Sequence, residues 1–276
     1  MLRGYATVIY LFLYTPIALI VLFSFNSGNN ASDFQHFAVL WYGRAASNTF
    51  VIEALENSAI VASTSATLAT IMGTMAALAL QRVKGPVRVV FDGLTYVSIM
   101  VPGIVIGIST LIALVTVFGF LNPALVALWP GDPAGAPQLA MGYSSLIAAH
   151  TLFSMALVIV IVRARIAGMD RSLIEASMDL YADPWATFRQ VTLPQLAPAI
   201  VAGFLLSFTF SLDDFVVAFF VAGSVTTLPI YVFSSIRRGV TPEINVIGTT
   251  VMLFSLTVLF GAQFLLRRGQ KGKPAR

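Results

Sequence analysis

Residues 175–194 read EASMDLYADPWATFRQVTLP and close a charged block, residues 163–194, that interrupts an otherwise apolar chain. What surrounds the block is membrane-grade sequence. Of 276 residues, 58% are hydrophobic and 10% charged, too apolar a mixture for a water-soluble globule. The apolar runs resolve into six stretches, at 5–25, 57–80, 89–118, 139–162, 198–221 and 244–266. Each is long enough for a span of about 20 residues. The first follows Arg3, but its apolar core is long and no small-residue cleavage site precedes Asn26, so it reads as a span and not as a signal peptide. The fold expected is all-α: one polytopic membrane domain over residues 1–276, with six transmembrane helices.

Charge sets the orientation. Of sixteen basic residues, all except Arg44, Arg237 and Arg238 fall on one side of this topology. That bias is the positive-inside pattern for an even number of spans with both termini cytoplasmic. It puts residues 163–197 in the cytoplasm as a loop and makes the basic tail, residues 267–276, a topology-setting segment facing lipid headgroups. The net charge of +4 therefore reports topology and not nucleic-acid binding. With no cysteine, a disulfide framework and thiolate metal sites are excluded, and two isolated histidines, His36 and His150, are poor material for a metal centre. His36 reads as a solvated loop residue and His150 as a packing histidine, although an ionisable group at membrane depth is also a functional candidate. Loops are expected at 26–56 and at 119–142, where Gly and Pro break the pattern, and Trp41 and Trp129 within them suit an interfacial position. In the third span Pro102 and Gly103 interrupt the helix, and Gly103 with Gly107 makes a small-xxx-small pair that favours close packing over a gating kink.

Inside the block, Ser172 and Glu175 fit a capping box, so a helix is expected to start there, with Ile174, Met178 and Tyr181 recurring at helical spacing. Glu175 and Asp179 form an acidic i, i+4 pair on a neighbouring face. Asp183-Pro184 supplies a second N-cap and a first-turn proline for a short helix through Trp185, Phe188 and Val191, which Leu193-Pro194 should end. Two such helices cannot bury Trp185 and Phe188 by themselves. They need either this chain's own helix ends or the surface of another protein.

The run Glu175-Ala176-Ser177, then Leu180-Tyr181-Ala182, then Phe188, Val191, Leu193 and Pro194 resembles the EAA loop of permease subunits in binding-protein-dependent ABC importers. Ser177 replaces the second alanine of that motif, and Tyr181 stands where the family usually has glycine, the residue best suited to the turn. The resemblance implies that the two helices dock in a cleft of an ATP-hydrolysing subunit, with Glu175 facing basic groups there. It also implies a second permease subunit, a pair of ATPase subunits, a periplasmic binding protein, and a place in a bacterial inner membrane. The chain has no G-x-x-x-x-G-K-[ST] phosphate loop, so ATP and magnesium belong to the partner ATPase, and this chain is expected to bind no cofactor and to be no enzyme.

SFTFSLDDFVVAFF, residues 207–220, puts Asp213 and Asp214 inside a lipid-compatible run. Measured from Pro198 they lie about 22 Å along a helix in a layer roughly 30 Å thick. Facing lipid at its centre, each carboxylate would cost about 2.5–3.5 kcal/mol. They must face protein, water or a cation. Ser207, Ser211 and Asp214 share a face at i, i+4 and i+7, a polar stripe suited to a cavity. Two roles stay open: one Asp caps a helix broken after Asp214 or pairs with a partner's basic residue, or the pair meets a cationic solute directly. Residues 193–266 and the stretch NSAIVASTSATLAT at the second span most resemble the permeases of spermidine/putrescine importers. That resemblance implies a polycation as solute, with Asp213, Asp214 and Ser211 beside Phe210 and Tyr231 as its carboxylate and aromatic contacts.

Arg237 and Arg238 lie on the outer side, in a solvated turn or against acidic patches of a binding protein. An ion-coupled secondary carrier using Asp213 and Asp214 is the nearest alternative transport class. A membrane enzyme is disfavoured because no serine shows an adjacent base, and His150 with Ser154 at i, i+4 is too little. A non-transporting scaffold is the remaining alternative.

Overall fold

The computed structural model describes residues 2–30 and 33–271. Among them the regular elements are all helices, with one isolated β-bridge between Asn26 and Phe37. The helices are α1 (Leu2–Ser24), α2 (Leu40–Ser47), α3 (Thr49–Ala79), α4 (Pro86–Met100), α5 (Gly103–Leu128), α6 (Tyr143–Ala167), α7 (Ser172–Asp179), α8 (Pro184–Thr187), α9 (Leu193–Asp213), α10 (Val216–Val221), α11 (Leu228–Arg238) and α12 (Pro242–Lys271). Six helices among the described residues are long and apolar enough to cross a membrane: Arg3–Ser24, Thr49–Ala79, Gly103–Leu128, Tyr143–Ala167, Pro184–Asp213 and Pro242–Gly261. An all-α polytopic chain is thus what the sequence builds. Of the basic tail, residues 272–276 lie outside the described residues.

The chain forms two compact units, Met1–Glu56 with Leu228–Arg276, and Asn57–Thr227. In the first, α12 packs along α1 and α2. Val51, Ala54, Leu228 and Ile247 make one buried cluster, and Trp41, Ala45 and Val246 a second. Trp41 is therefore not an interfacial loop residue: it is 7% exposed and its indole N–H donates to Gly28 O at 3.1 Å. The side chain of Asn26 organises the turn that receives it, donating to the carbonyls of Asn30 and Asp33 and accepting from the amides of Gly28 and Gln35.

In the second unit α6 is central, packed on α9 and α4. Lipid tails are as apolar as leucine, so van der Waals fit and not water exclusion holds these helices together. Small residues supply the fit. A Cβ on Gly73 would sit 2.8 Å from Val158 Cβ, and one on Gly107 would sit 2.6 Å from a Phe220 ring carbon. Gly107 thus seats α5 against α10, and the close-packing reading of the Gly103/Gly107 pair holds.

Several boundaries differ from the sequence reading, each for a local reason. Residues 119–128 are helical as the end of α5, with Pro123 inside the helix, and Asn122 braces this turn by bonding both the amide and the carbonyl of Leu139. Residues 49–56 are the first turns of α3 and not loop. The third apolar run is two helices, since Val101 adopts extended backbone before Pro102, as residues preceding proline do. Arg163 and Arg165 lie in the last turns of α6 and not in a loop; Arg163 pairs with Asp92 of α4. Leu193-Pro194 does not stop its helix. A π-turn at Phe188–Thr192 joins α8 to α9, and the widened register absorbs the proline's missing N–H, while the Gln195 side-chain Nε2 donates to Val191 O at 3.2 Å. The fifth span correspondingly begins before residue 198 and ends at Asp213.

Candidate functional site

The α7–α8 pair is shaped by short-range chemistry. The expected capping box is not formed: Ser172 is the first helical residue, and Asp170 Oδ1 accepts from its amide at 2.9 Å. Hydrogen bonds from the Ser172 hydroxyl and then its amide hold the Asp170 carboxyl below the usual carboxylate range. Asp183 Oδ1 accepts from the amides of Trp185 and Ala186 at 2.8 and 3.0 Å, which caps α8 as expected. Between the helices, Tyr181 is the one non-glycine residue with positive φ among the described residues, at φ 58°. The turn retains the left-handed backbone that glycine favours, and tyrosine occupies it with its side chain 98% exposed.

Ser177 has a role that alanine cannot fill, because its hydroxyl lies 2.8 Å from Thr187 Oγ1 and ties α7 to α8. Phe188 stacks on Trp185 with centroids 5.7 Å apart. One side of the pair faces a cleft of about 690 Å³ lined by Ile174, Met178, Ala182, Phe188, Leu78 at the end of α3 and Arg82 in the turn after it. Leu180 and Trp185 stay 81% and 67% exposed, and Glu175, Ala176, Asp179, Leu193 and Pro194 are exposed too.

At membrane depth, α9 stops at Asp213 because Asp214 turns extended, and α10 restarts at Val216. Asp214 Oδ2 accepts from the amides of Val217 and Ala218, both at 3.0 Å. The helix break leaves these amides without intrahelical partners, and the carboxylate also meets the positive end of α10. Asp214 therefore does cap a broken helix. It also lines a cavity of about 310 Å³ with His150, Phe153, Ser154, Phe210 and Ser211. Phe153 and Phe210 stack at 4.7 Å and form an aromatic wall. The polar side is linked: Ser65 Oγ lies 3.0 Å from Ser211 Oγ, Ser211 Oγ 2.6 Å from His150 Nδ1, and His150 Nε2 3.5 Å from Asp214 Oδ2. That last distance gives Coulombic contact outside hydrogen-bond geometry.

The structure thus brings together Phe210, Ser211 and Asp214. Asp213 is exposed on this chain, and Tyr231 belongs to the other compact unit, where its hydroxyl accepts from Asn48 at 3.2 Å. Sequence reasoning missed His150, Phe153 and Ser65 as members of the cavity network, and the statement that no serine has an adjacent base is corrected. His150 meets Ser211 across 61 residues, a pairing that helical spacing cannot show. Membrane depth was its one signal. The arrangement is not set for nucleophilic catalysis, since Oδ2 is engaged by two amides and the Ser211 hydroxyl is shared with Ser65.

A family model described as "Binding-protein-dependent transport system inner membrane component" matches residues 69–271. The chain belongs to this family. Like other members of the family, it is a multi-pass permease subunit of the ABC importer type. Among its relatives, the spermidine/putrescine transport system permease protein PotC of Escherichia coli (strain K12) is 34% identical, over 98% of this chain and 95% of the relative. The putrescine transport system permease protein PotI of the same organism is 36% identical over 94% of this chain and 88% of the relative. Among solved structures, a bacterial ABC transporter importing the acidic polysaccharide alginate has the same fold, with TM-score 0.71 at 15% identity over 95% of this chain and 93% of that chain. An amino acid ABC transporter with histidines aligns at TM-score 0.56 and 18% identity, over 83% of this chain and 98% of that chain.

Proposed function

We propose that this permease forms the path for spermidine or putrescine through an ATP-driven importer, with both termini cytoplasmic. It pairs with a second permease subunit, receives solute from a periplasmic binding protein, and is driven by two ATPase subunits that dock on α7 and α8. ATP and magnesium are held by those subunits. The observation that carries the solute assignment is Asp214 in a cavity walled by the stacked Phe153 and Phe210 rings. A carboxylate neutralises an ammonium group, and aromatic faces accommodate methylene and charged segments of a polycation. The relatives named above point the same way. Asp213, one residue earlier and exposed on this chain, is a second anionic contact on the path; Tyr231 is an aromatic one.

For the docking face, Leu180, Tyr181 and Trp185 form an exposed apolar surface beside the acidic Glu175 and Asp179, which suits a cleft with apolar walls and basic groups. The test is reconstitution of the permease with its partner subunits in liposomes, followed by uptake of radiolabelled spermidine and putrescine. Uptake requiring ATP, the ATPase and the binding protein is expected. Import of neither polyamine by a complex that hydrolyses ATP would overturn the solute assignment, and uptake by the permease alone would overturn the partner assignment.

A further inference from the structure

Asp214 is anchored through one oxygen. Oδ2 accepts two amide bonds from α10 and lies nearest His150, while Oδ1 has no protein donor among the described residues. The capping bonds do not by themselves distinguish the two oxygens, because a carboxylate that flips offers either one to the same amides. Because the two oxygens are equivalent, what a further donor beside the capped one adds is a restraint on the orientation of the carboxyl, and so on where the uncapped oxygen points. His150, 4% exposed in the wall of the cavity, is placed to supply it.

The neighbours of His150 fix which nitrogen carries the proton in the neutral ring. A carboxylate oxygen only accepts, so the nitrogen facing Asp214 must donate, which makes it Nε2–H and leaves Nδ1 bare. Bare Nδ1 accepts from the Ser211 hydroxyl at 2.6 Å, and Ser211 Oγ in turn accepts from the Ser65 hydroxyl at 3.0 Å. Donation then runs in one direction, Ser65 to Ser211 to His150 to Asp214, with the Ser65 hydroxyl turned to Ser211 at 3.0 Å in preference to its longer contact with Ala62 O at 3.4 Å. The opposite direction sets a bare nitrogen against a carboxylate in a low-dielectric site, two acceptors facing each other. Nε2 is buried without a hydrogen-bond partner, and a small shift of the Asp214 side chain across the present 3.5 Å completes the bond.

We propose that His150 is a positioning residue for Asp214: its Nε2–H holds Oδ2 beside the first turn of α10, and so presents Oδ1 to an ammonium group of the solute in the cavity. The inference rests on the reading of Asp214 as a solute contact. Ser211 and Ser65 then serve to hold the ring in its tautomer, and the Phe153/Phe210 wall receives the methylene segment beyond the ammonium group.

The chain has two histidines, His36 and His150, so nitrogen-15 histidine labelling of this subunit alone before assembly gives two imidazoles, each with an Nδ1 and an Nε2 signal, and His36→Gln assigns them. The expected result is the Nε2–H tautomer for His150, with its Nε2 signal moved by Asp214→Asn and by added spermidine, and its Nδ1 signal moved by Ser211→Ala. An Nδ1–H tautomer, or an Nε2 signal unmoved by Asp214→Asn, would overturn the proposal. Transport gives the second readout. His150→Asn keeps a polar group near the Nδ1 position, whereas His150→Gln reaches the Nε2 position with an amide N–H. Positioning predicts that His150→Asn lowers the maximal import rate about tenfold with little change in KM, and that His150→Gln recovers most of it. The reverse order, Asn active and Gln inactive, means that the histidine acts through Ser211 as packing and contradicts the proposal. If the wild-type importer carries neither spermidine nor putrescine, the polyamine reading falls, and the response of the His150 signals to Asp214→Asn still judges the positioning role.

Discussion

Two surfaces within residues 57–227 depart from the usual placement of polar and apolar groups, in opposite directions. The α7–α8 pair leaves Leu180, Tyr181 and Trp185 exposed, whereas the cavity buries His150, Ser211 and Ser65 at membrane depth. Each uses the same local device. Asp183, the N-cap residue, holds two backbone amides of α8, and Asp214, one residue before the N-cap Phe215, holds two amides of α10 at nearly equal distances. What differs is the surroundings. Asp183 is exposed at a turn, while Asp214 shares its cavity with an imidazole and two aromatic rings. A carboxylate that holds two helix-start amides is therefore only structural in one place and a candidate solute contact in the other, and the groups it meets across the fold make the distinction.

The comparison breaks most sharply at Asp214. Asp214→Asn keeps an oxygen to accept from Val217 and Ala218 and removes the charge. If the charge meets a cationic solute, loss of about 1.5–3 kcal/mol of charge-assisted bonding lowers import about 10- to 150-fold, measured as initial uptake at solute concentrations well below KM. The matching change at Asp183, Asp183→Asn, should leave solute uptake within about twofold, since only a cap is perturbed. Equal losses at the two positions would erase the distinction.

Glu175→Lys tests the other surface. It reverses one of the exposed acidic groups on α7 and should reduce copurification of the ATPase several-fold, about 1 kcal/mol or more of interface energy. Gly107→Val then probes what supports the cavity. Its new side chain begins 2.6 Å from the Phe220 ring, so the ring or α10 must shift, at a cost of about 1–3 kcal/mol, seen as a lower melting temperature of the detergent-solubilised permease. Smaller effects are expected in the helix pair. Ser177→Ala removes the bond to Thr187 and should weaken the pair by about 1 kcal/mol, read by hydrogen exchange of residues 172–187. Tyr181→Gly relieves the left-handed backbone at φ 58° but adds freedom to the unfolded turn, leaving a net gain of a few tenths to about 1 kcal/mol in the same exchange measurement.

These positions also mark what the sequence could show. The spans and the Asp183-Pro184 start of α8 were legible because each depends on residues within a few positions of one another, or on an apolar run of fixed length. The turn at Tyr181 came instead from the resemblance to the EAA loop, since its spacing from Ile174 and Met178 continues a helix that in fact ends at Asp179. At Ser172 the helix start was legible but the capping box was not formed: Arg171 is the N-cap residue, and Asp170 offers a competing acceptor to the Ser172 amide. Helix breaking at Leu193-Pro194 was overestimated because a π-turn accommodates the proline. For the cavity, the break at Asp214 was visible as a charge pair in an apolar run, but His150, Phe153 and Ser65 come from α6 and α3. Their pairing with α9 depends on which faces of three helices meet, set by contacts such as Gly73 and Gly203 against Val158, and no short spacing encodes that.

The most direct measurement is ATP hydrolysis and polyamine import followed together on the reconstituted importer carrying Asp214→Asn. The expected result is an ATPase that remains bound and hydrolyses ATP while import falls at least tenfold, because the docking pair is intact and the solute's anionic contact is gone. Import at the wild-type rate with unchanged coupling would contradict the role assigned to the cavity.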